Sequence, residues 1–333
     1  MASGGGMQIA NPAKGDIMIR EKSPARYVGA GFLVLALTLA GGAAANADDE
    51  SSSLAAIRAV APDSLGSLVQ DAEVNATGVE ATVSDVTTLA PTDASEGIAI
   101  GITGRHALTI GLPGSSVAAP GVIENGTVSY ENGNGSSSVA LANSDGSVSL
   151  DTVIQDAAAP AVYAYELSAP EGAALSLDAQ GGVTVSATDG KFISYLLPPT
   201  ALDASGDSVQ SSYAVEGQTL VQTVNHQGAA YPVVAMAAAA SRFFSNVVVD
   251  TTADSRGHIV RVYPIGTGPN PQIPSAAVFD DYKTWVSATY EGQKFRDQLI
   301  CHVANAQGKS PWNLDAWRPN VGYAATVAAL CNP

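Results

Sequence analysis

The sequence predicts two unlike halves: a mainly β front domain, built as an antiparallel sandwich or open barrel, and a small disulfide-closed α+β module behind it. Three observations carry that prediction. From about Val74 apolar residues recur at every second position, and glycine-bearing pairs interrupt them at short intervals, which is the pattern of many hairpin-linked strands. Near Ala235 to Ser241 the composition changes: Ala59 to Ser241 holds nineteen acidic residues against Arg105 and Lys191, whereas Arg242 to Pro333 holds eight basic and seven acidic ones. All three tryptophans and both cysteines also fall in that last stretch. Apolar residues make up 46% of the 333, enough for a core, and wholesale disorder is excluded. A formal charge of −16 leaves no general phosphate-neutralising footprint and argues against a nucleic-acid partner.

Residues 1–47 read as a leader and signal peptide. Arg20, Lys22 and Arg26 precede the apolar run Val28 to Ala40, and the small residues beyond it end in Ala45-Asn46-Ala47. A basic n-region, an apolar h-region and an A-x-A site are the parts of a Sec-type signal, with cleavage near Ala47. The alternative is a retained anchor, because Tyr27 to Ala45 is uncharged and close to the ~20 residues that span a bilayer. Its Gly- and Ala-rich second half and the lack of a basic stop-transfer cluster favour cleavage. The expected product has no stable membrane span and is secreted or held at the cell surface.

Residues 48–73 read as a linker with a short helix. Leu54, Ile57, Val60, Leu65 and Val69 approximate one face, and Pro62 interrupts it. Residues 74–240 form the acidic β-rich domain. Thr127-Val128-Ser129-Tyr130, Ser138-Val139-Ala140-Leu141, Ser147-Val148-Ser149-Leu150, Ala174-Leu175-Ser176-Leu177 and Val183-Thr184-Val185-Ser186 alternate small polar with apolar side chains. Asn125-Gly126, Asn132-Gly133, Asp145-Gly146, Gly181-Gly182, Asp189-Gly190 and Glu216-Gly217 supply turns, since Asn, Asp and Gly tolerate positive φ. The Ser and Thr positions are expected to face solvent. Ala235 to Ala240 reads as the joint, or as the first turn of a helix.

Residues 241–333 form the α+β module. Asn246 to Asp250 and His258 to Tyr263 flank Asp254 to Gly257 as a hairpin. A helix capped by Ser275 carries Val278, Tyr282, Trp285, Val286 and Thr289 on one face and ends at Gly292. A second carries Phe295, Leu299, Val303 and Ala306 and stops at Gly308. In an exported chain with two cysteines, Cys301 and Cys331 are expected to pair. The closed loop of ~30 residues removes unfolded-state freedom worth roughly 3–4 kcal/mol.

The strings Gln298-Leu299-Ile300-Cys301-His302, Lys309, Trp312-Asn313-Leu314-Asp315-Ala316-Trp317-Arg318-Pro319 and Cys331-Asn332-Pro333 together resemble the C-terminal module of a family of bacterial secreted proteins, domain-of-unknown-function family 2599. That module reads roughly Q-x-x-C-H, K-x-x-W-N-L-E/D-x-W-R-P and C-N-P. The resemblance covers about residues 245–333 and implies no activity.

Two kinds of chemistry remain to be weighed in this module. His302 is a general-base candidate with Asp315 or Asp297 as orienter, or else a buried histidine bonded to a carbonyl. A nucleophile made from adjacent Cys301 and His302 fails on geometry, because helix neighbours point about 100° apart. Arg318 either forks onto a ligand's carboxylate or phosphate or pairs internally with Asp315 or Asp297. Trp312, Asn313 and Trp317, in a loop between Pro311 and Pro319, either contact a ligand by stacking or fill the core. No metal-ligand spacing, phosphate loop or cofactor motif is present in the sequence, so no cofactor or metal is expected.

The leading expectation is a non-enzymatic recognition or structural protein at the cell surface or in the medium, with a cell-envelope or glycan ligand on the Trp/Arg loop. The alternative is a secreted hydrolase or toxin with His302, Lys309, Asp315 and Arg318 around one cleft. A third arrangement makes residues 48–240 a removable pro-region. Sequence alone leaves the enzyme question open.

Overall fold

Alternation and turns become two stacked antiparallel sheets in the computed structural model, which describes residues 51–103, 107–169 and 172–333. The expected leader and signal, residues 1–47, lie outside the described residues, as does Arg105. The first sheet runs in the order β1 (Glu73–Asn75), β2 (Gly78–Val83), β3 (Val86–Pro91), β4 (Ile98–Ile102), β5 (Leu108–Ile110), β10 (Val162–Ser168), β16 (Thr219–Val224), β15 (Ser211–Glu216). The second runs β11 (Ala173–Leu177), β12 (Val183–Ala187), β13 (Phe192–Leu196), β17 (Val233–Ala240), β9 (Val148–Ile154), β8 (Ser136–Ala142), β7 (Thr127–Glu131), β6 (Val122–Glu124), and β14 (Thr200–Leu202) also pairs with β17. Asn125 and Gly126 hold φ of 50° and 75°, the paired positive values of the tight turn that suits strand twist between β6 and β7. One core joins Ile98, Ile110, Tyr165 and Leu167 of the first sheet to Val128, Leu150, Val185 and Val233 of the second. The mainly β front part is therefore a sandwich.

The outer face of the second sheet is not the solvated hydroxyl surface that the sequence predicts. Helix α1 (Ser52–Val60) starts where the Ser51 Oγ accepts the Leu54 N–H, and Pro62 separates it from the short α2 (Pro62–Gly66). Ala56, Ile57 and Val60 pack on Val139, Leu141, Val153 and Val234. Strands β8 and β9 are consequently buried on both faces, including Ser136, Ser137, Ser138, Ser149 and Thr152. Their hydroxyls find partners inside: Ser53 meets Ser137 at 2.6 Å, and Asn132 Nδ2 donates to Ser136 and Ser138 at 3.1 and 3.2 Å. A bonded hydroxyl is tolerated where a bare one is costly.

The alanine run also departs from expectation. Instead of a joint or helical turn, Val233–Ala240 is β17, paired with β9 on one side and with β13 and β14 on the other. Alanine favours helix only weakly, and ladders on both flanks override that preference. Ala235, Ala237 and Ala239 enter the sandwich core.

Beyond Arg242 a second core forms. Strand β18 (Phe244–Asp254) pairs with β19 (Gly257–Pro264) as the expected hairpin, and α3 (Ser275–Lys283) and α4 (Gln293–Asn305) cover it. Phe192 and Tyr195 of β13 belong to this core too, so sandwich and tail share apolar contacts. Helix α3 ends before Trp285 because side chains take over its last turn. The Thr284 hydroxyl donates to the Asp281 carbonyl at 2.7 Å, and the Trp285 indole N–H to the Asp281 carboxylate at 3.2 Å.

The expected loop around Trp312 is instead strand β20 (Trp312–Asp315), third in the small sheet beside β19. Its alternation turns Trp312 and Leu314 into the core. Gly268, at φ 105°, makes room for this: a Cβ there would lie 2.8 Å from the Trp312 ring. Helix α5 (Tyr323–Ala328) follows, and Cys331 is bonded to Cys301 of α4 with their Cα atoms 5.3 Å apart. Among the described residues no helix is long and apolar enough to cross a membrane.

Asp151 shares its face of β9 with Val153 and is fully buried. Burial pushes its pKa up to about 6 against the pull of the Ser149 hydroxyl, which donates to its Oδ1 at 2.6 Å, while Oδ2 is buried without a hydrogen-bond partner. A carboxyl raised on folding stabilises while protonated, so its contribution falls as pH rises from about 4 to about 6. Asp151→Asn is expected to flatten that decline and to gain on the order of 2–3 kcal/mol at neutral pH relative to the natural chain. Urea unfolding across this pH window measures the difference.

Candidate functional site

The motif residues of the tail divide into a structural lattice and a groove. Gln298 of α4 is fully buried and works as a substitute strand edge. Its Oε1 accepts the Asp315 N–H at 2.8 Å, while its Nε2 faces the Asp315 carbonyl at 3.4 Å. One turn later the His302 Nδ1–H donates to the Gln298 carbonyl at 2.7 Å, and the ring lies 6.1 Å from that of Trp312. Burial lowers the His302 pKa, with Lys309 adding to the effect, which keeps the imidazole neutral. Trp312 is completely buried and donates its indole N–H to the Ala306 carbonyl at 2.9 Å.

Asp315 and Arg318 form a clasp. The Arg318 Nε donates to the Asp315 carboxylate at 3.0 Å and its Nη1 to the Pro333 carbonyl at 2.9 Å. One guanidinium thus ties the end of β20 to the segment that the disulfide anchors on α4. Asn313 is half-buried, and its Oδ1 accepts from Arg261, which also pairs with Asp250. Lys309 is exposed beyond the end of α4. The four side chains named for catalysis therefore occupy three settings: His302 in the core, Asp315 and Arg318 in the clasp, Lys309 at the surface.

Trp317 stands apart from this lattice. It is half-buried, packs over Gly257, and has the Arg256 guanidinium 4.6 Å and that of Arg318 6.0 Å from its ring centre. Beside it opens a groove of about 280 Å³ lined by Arg256, His258, Tyr290, Lys294 and Phe295, together with Thr289 and Ala316. Arg256 forks onto Asp254 at 2.8 and 2.5 Å, and this pairing brings the Asp254 pKa down to about 2. The His258 Nδ1 meets the Tyr290 hydroxyl at 2.7 Å. Lys294 donates to the Ala316 carbonyl, which holds its charge at the groove.

Of these lining residues the sequence marks Trp317 alone as a site candidate, with Arg318 beside it, and places His258, Thr289 and Phe295 only on a strand and on helix faces. Arg256 sits in the β18–β19 turn, His258 on β19, Tyr290 in a single 3-10 turn and Lys294 on α4. Only the excess of basic residues after Arg242 pointed toward such a cluster.

A small disulfide-closed α+β segment with this motif lattice defines a recognisable module. The family described as "Protein of unknown function (DUF2599)" matches residues 233–333, in agreement with the resemblance of the C-terminal motifs. The match begins earlier than those motifs do and includes β17, a central strand of the sandwich. No curated protein matches the chain.

The lattice has a measurable consequence. His302→Ala is expected to destabilise the chain by about 2–4 kcal/mol, through the cavity left beside Trp312. Arg318→Ala, at the half-exposed clasp, should cost about 1–2 kcal/mol. Chemical denaturation of each variant checks both values.

Proposed function

We propose that this is an exported protein that recognises a ligand at the cell surface or in the medium without transforming it, through the groove beside Trp317. In this reading residues 74–240 are the scaffold and residues 241–333 the recognition module. The observation that carries it is the convergence of a half-exposed tryptophan with Arg256, His258, Tyr290 and Lys294, brought from four separate elements into one concave surface. Binding sites characteristically combine aromatic walls with a few directed polar groups. The basic, apolar and A-x-A segments near the start support export, and the Cys301–Cys331 bridge fits a compartment where disulfides persist. The acidic sandwich would then keep an exported chain soluble.

A hydrolase or toxin built on His302, Lys309, Asp315 and Arg318 has less support. The His302 Nδ1 is committed to its own helix, and Arg318 is spent on Asp315 and Pro333.

The test is retention of the full-length chain on immobilised cell-wall fragments, envelope extracts and glycans. The natural chain is expected to be held by at least one of them. Trp317→Ala should weaken that retention about tenfold, the loss expected for an aromatic anchor, with its circular dichroism unchanged. Absence of retention on every surface contradicts recognition, and undiminished retention of the variant contradicts the groove.

A further inference from the structure

The lining of the groove narrows the chemistry of what it holds. The chain carries 31 acidic residues against 15 basic ones, yet the groove gathers Arg256, His258 and Lys294 and is lined by no carboxylate. The acids nearby are turned to structural tasks: Asp254 is forked by Arg256, and Asp315 is held by Arg318. Each basic group is positioned by one partner and keeps further donor capacity. Arg256 uses Nε and Nη2 on Asp254, leaving Nη1. Lys294 uses one N–H on the Ala316 carbonyl and keeps two others. His258 meets Tyr290 through Nδ1, and its Nε2 is a donor in the tautomer whose Nδ1 accepts the Tyr290 hydroxyl.

A concave site with surplus donors and no acceptor-only side chain favours a negatively charged group, because a ligand carboxylate or phosphate takes several charge-assisted hydrogen bonds at once. The aromatic rings that reach the groove surface are those of Trp317 and Tyr290, with the buried ring of Phe295 packed against Tyr290. Thr289 and the Tyr290 hydroxyl, which meets His258, complete the polar part of the lining. A volume of about 280 Å³ lies just below the roughly 300–1,000 Å³ of sites for drug-sized ligands, so it suits one small ring with its substituents. A sugar ring supplies a C–H face for the aromatic walls and hydroxyls for the polar border. Its acidic substituent would meet the cations.

We propose that the groove between Trp317 and Lys294 binds a saccharide unit carrying a negative charge, as a carboxylate or a phosphate. This rests on the recognition reading above and adds the ligand's charge and class to it. It also accounts for a cationic site on a strongly acidic protein: the long-range field of the chain disfavours anions, so selectivity must come from close contacts within about a Debye length.

Calorimetric titration of the full-length chain tests this with galacturonic acid, its neutral methyl ester, N-acetylmuramic acid, glucose 6-phosphate and glucose. At least one acidic sugar is expected to bind ten times or more tightly than its neutral counterpart, with affinity falling as salt rises. Lys294→Gln, which keeps a donor for the Ala316 carbonyl and removes the charge, should erase most of that tenfold preference. Trp317→Ala should weaken acidic and neutral sugars alike. Thermal unfolding of each variant confirms that it is folded. The carboxylate and phosphate arms identify which anion the site takes. Equal binding of acidic and neutral sugars, or a preference untouched by Lys294→Gln, overturns the charge assignment while leaving recognition standing. Failure of every sugar to bind overturns the saccharide assignment; if the envelope surfaces also fail to retain the chain, the recognition reading falls with it.

Discussion

The covalent link between Cys301 and Cys331 is the constraint on which the tail depends. Residues 302–330 include β20, the Trp317 corner and α5, and little regular secondary structure holds them otherwise. Joining the ends of that stretch to α4 lets a short strand, a half-buried tryptophan and a six-residue helix keep fixed positions. Gln298, His302 and Trp312 pack between α4 and β20, and Arg318 fastens Asp315 at the end of β20 to Pro333 just beyond the bridge. The motif residues are thus explained largely by architecture. The groove lies where that architecture meets the β18–β19 turn, and it borrows Arg256 and His258 from outside the motif.

The sandwich obeys a different rule. Its second sheet is covered on one side by the first sheet and on the other by α1 and α2, so alternation of small polar and apolar side chains does not separate water from core there. Serines and a threonine are buried and bonded among the aliphatic residues, and Asp151 is buried with one of its two oxygens bonded. A layered fold of this kind orders its interior by hydrogen bonds as well as by packing. Phe192 and Tyr195, at the edge of this sheet, also close the second core, and Arg242 ties back to Asp85 of the first hairpin layer.

Much of this was legible in the sequence, for reasons that can be located. Strands β7, β8, β9, β11 and β12 follow from period-two alternation and glycine-bearing turns, and β18–β19 from two apolar runs around Asp254 to Gly257. The helix faces at Leu54–Val60 and Phe295–Val303 follow from spacing. Strand β17 was hidden because alanine carries a helical preference and no alternation of polarity, so only its neighbours define it. Strand β20 was hidden because prolines and tryptophans crowd four residues whose partner lies about fifty positions away. The groove was the least visible feature. Arg256 and His258 lie about thirty positions from Tyr290 and Lys294, no motif links the two pairs, and only folding brings them together.

The central claim is that the sulfur bridge holds the tail, and with it the groove, in working shape. Paired measurement of urea unfolding and ligand retention, on the natural chain and on Cys301→Ser/Cys331→Ser, addresses it most directly. The account predicts a loss of roughly 3–4 kcal/mol, the magnitude for closing a loop of this length, together with weakened retention and no labelling of the natural protein by thiol reagents. Unchanged stability and retention in the double variant, or ready labelling of both cysteines in the native protein, would contradict it.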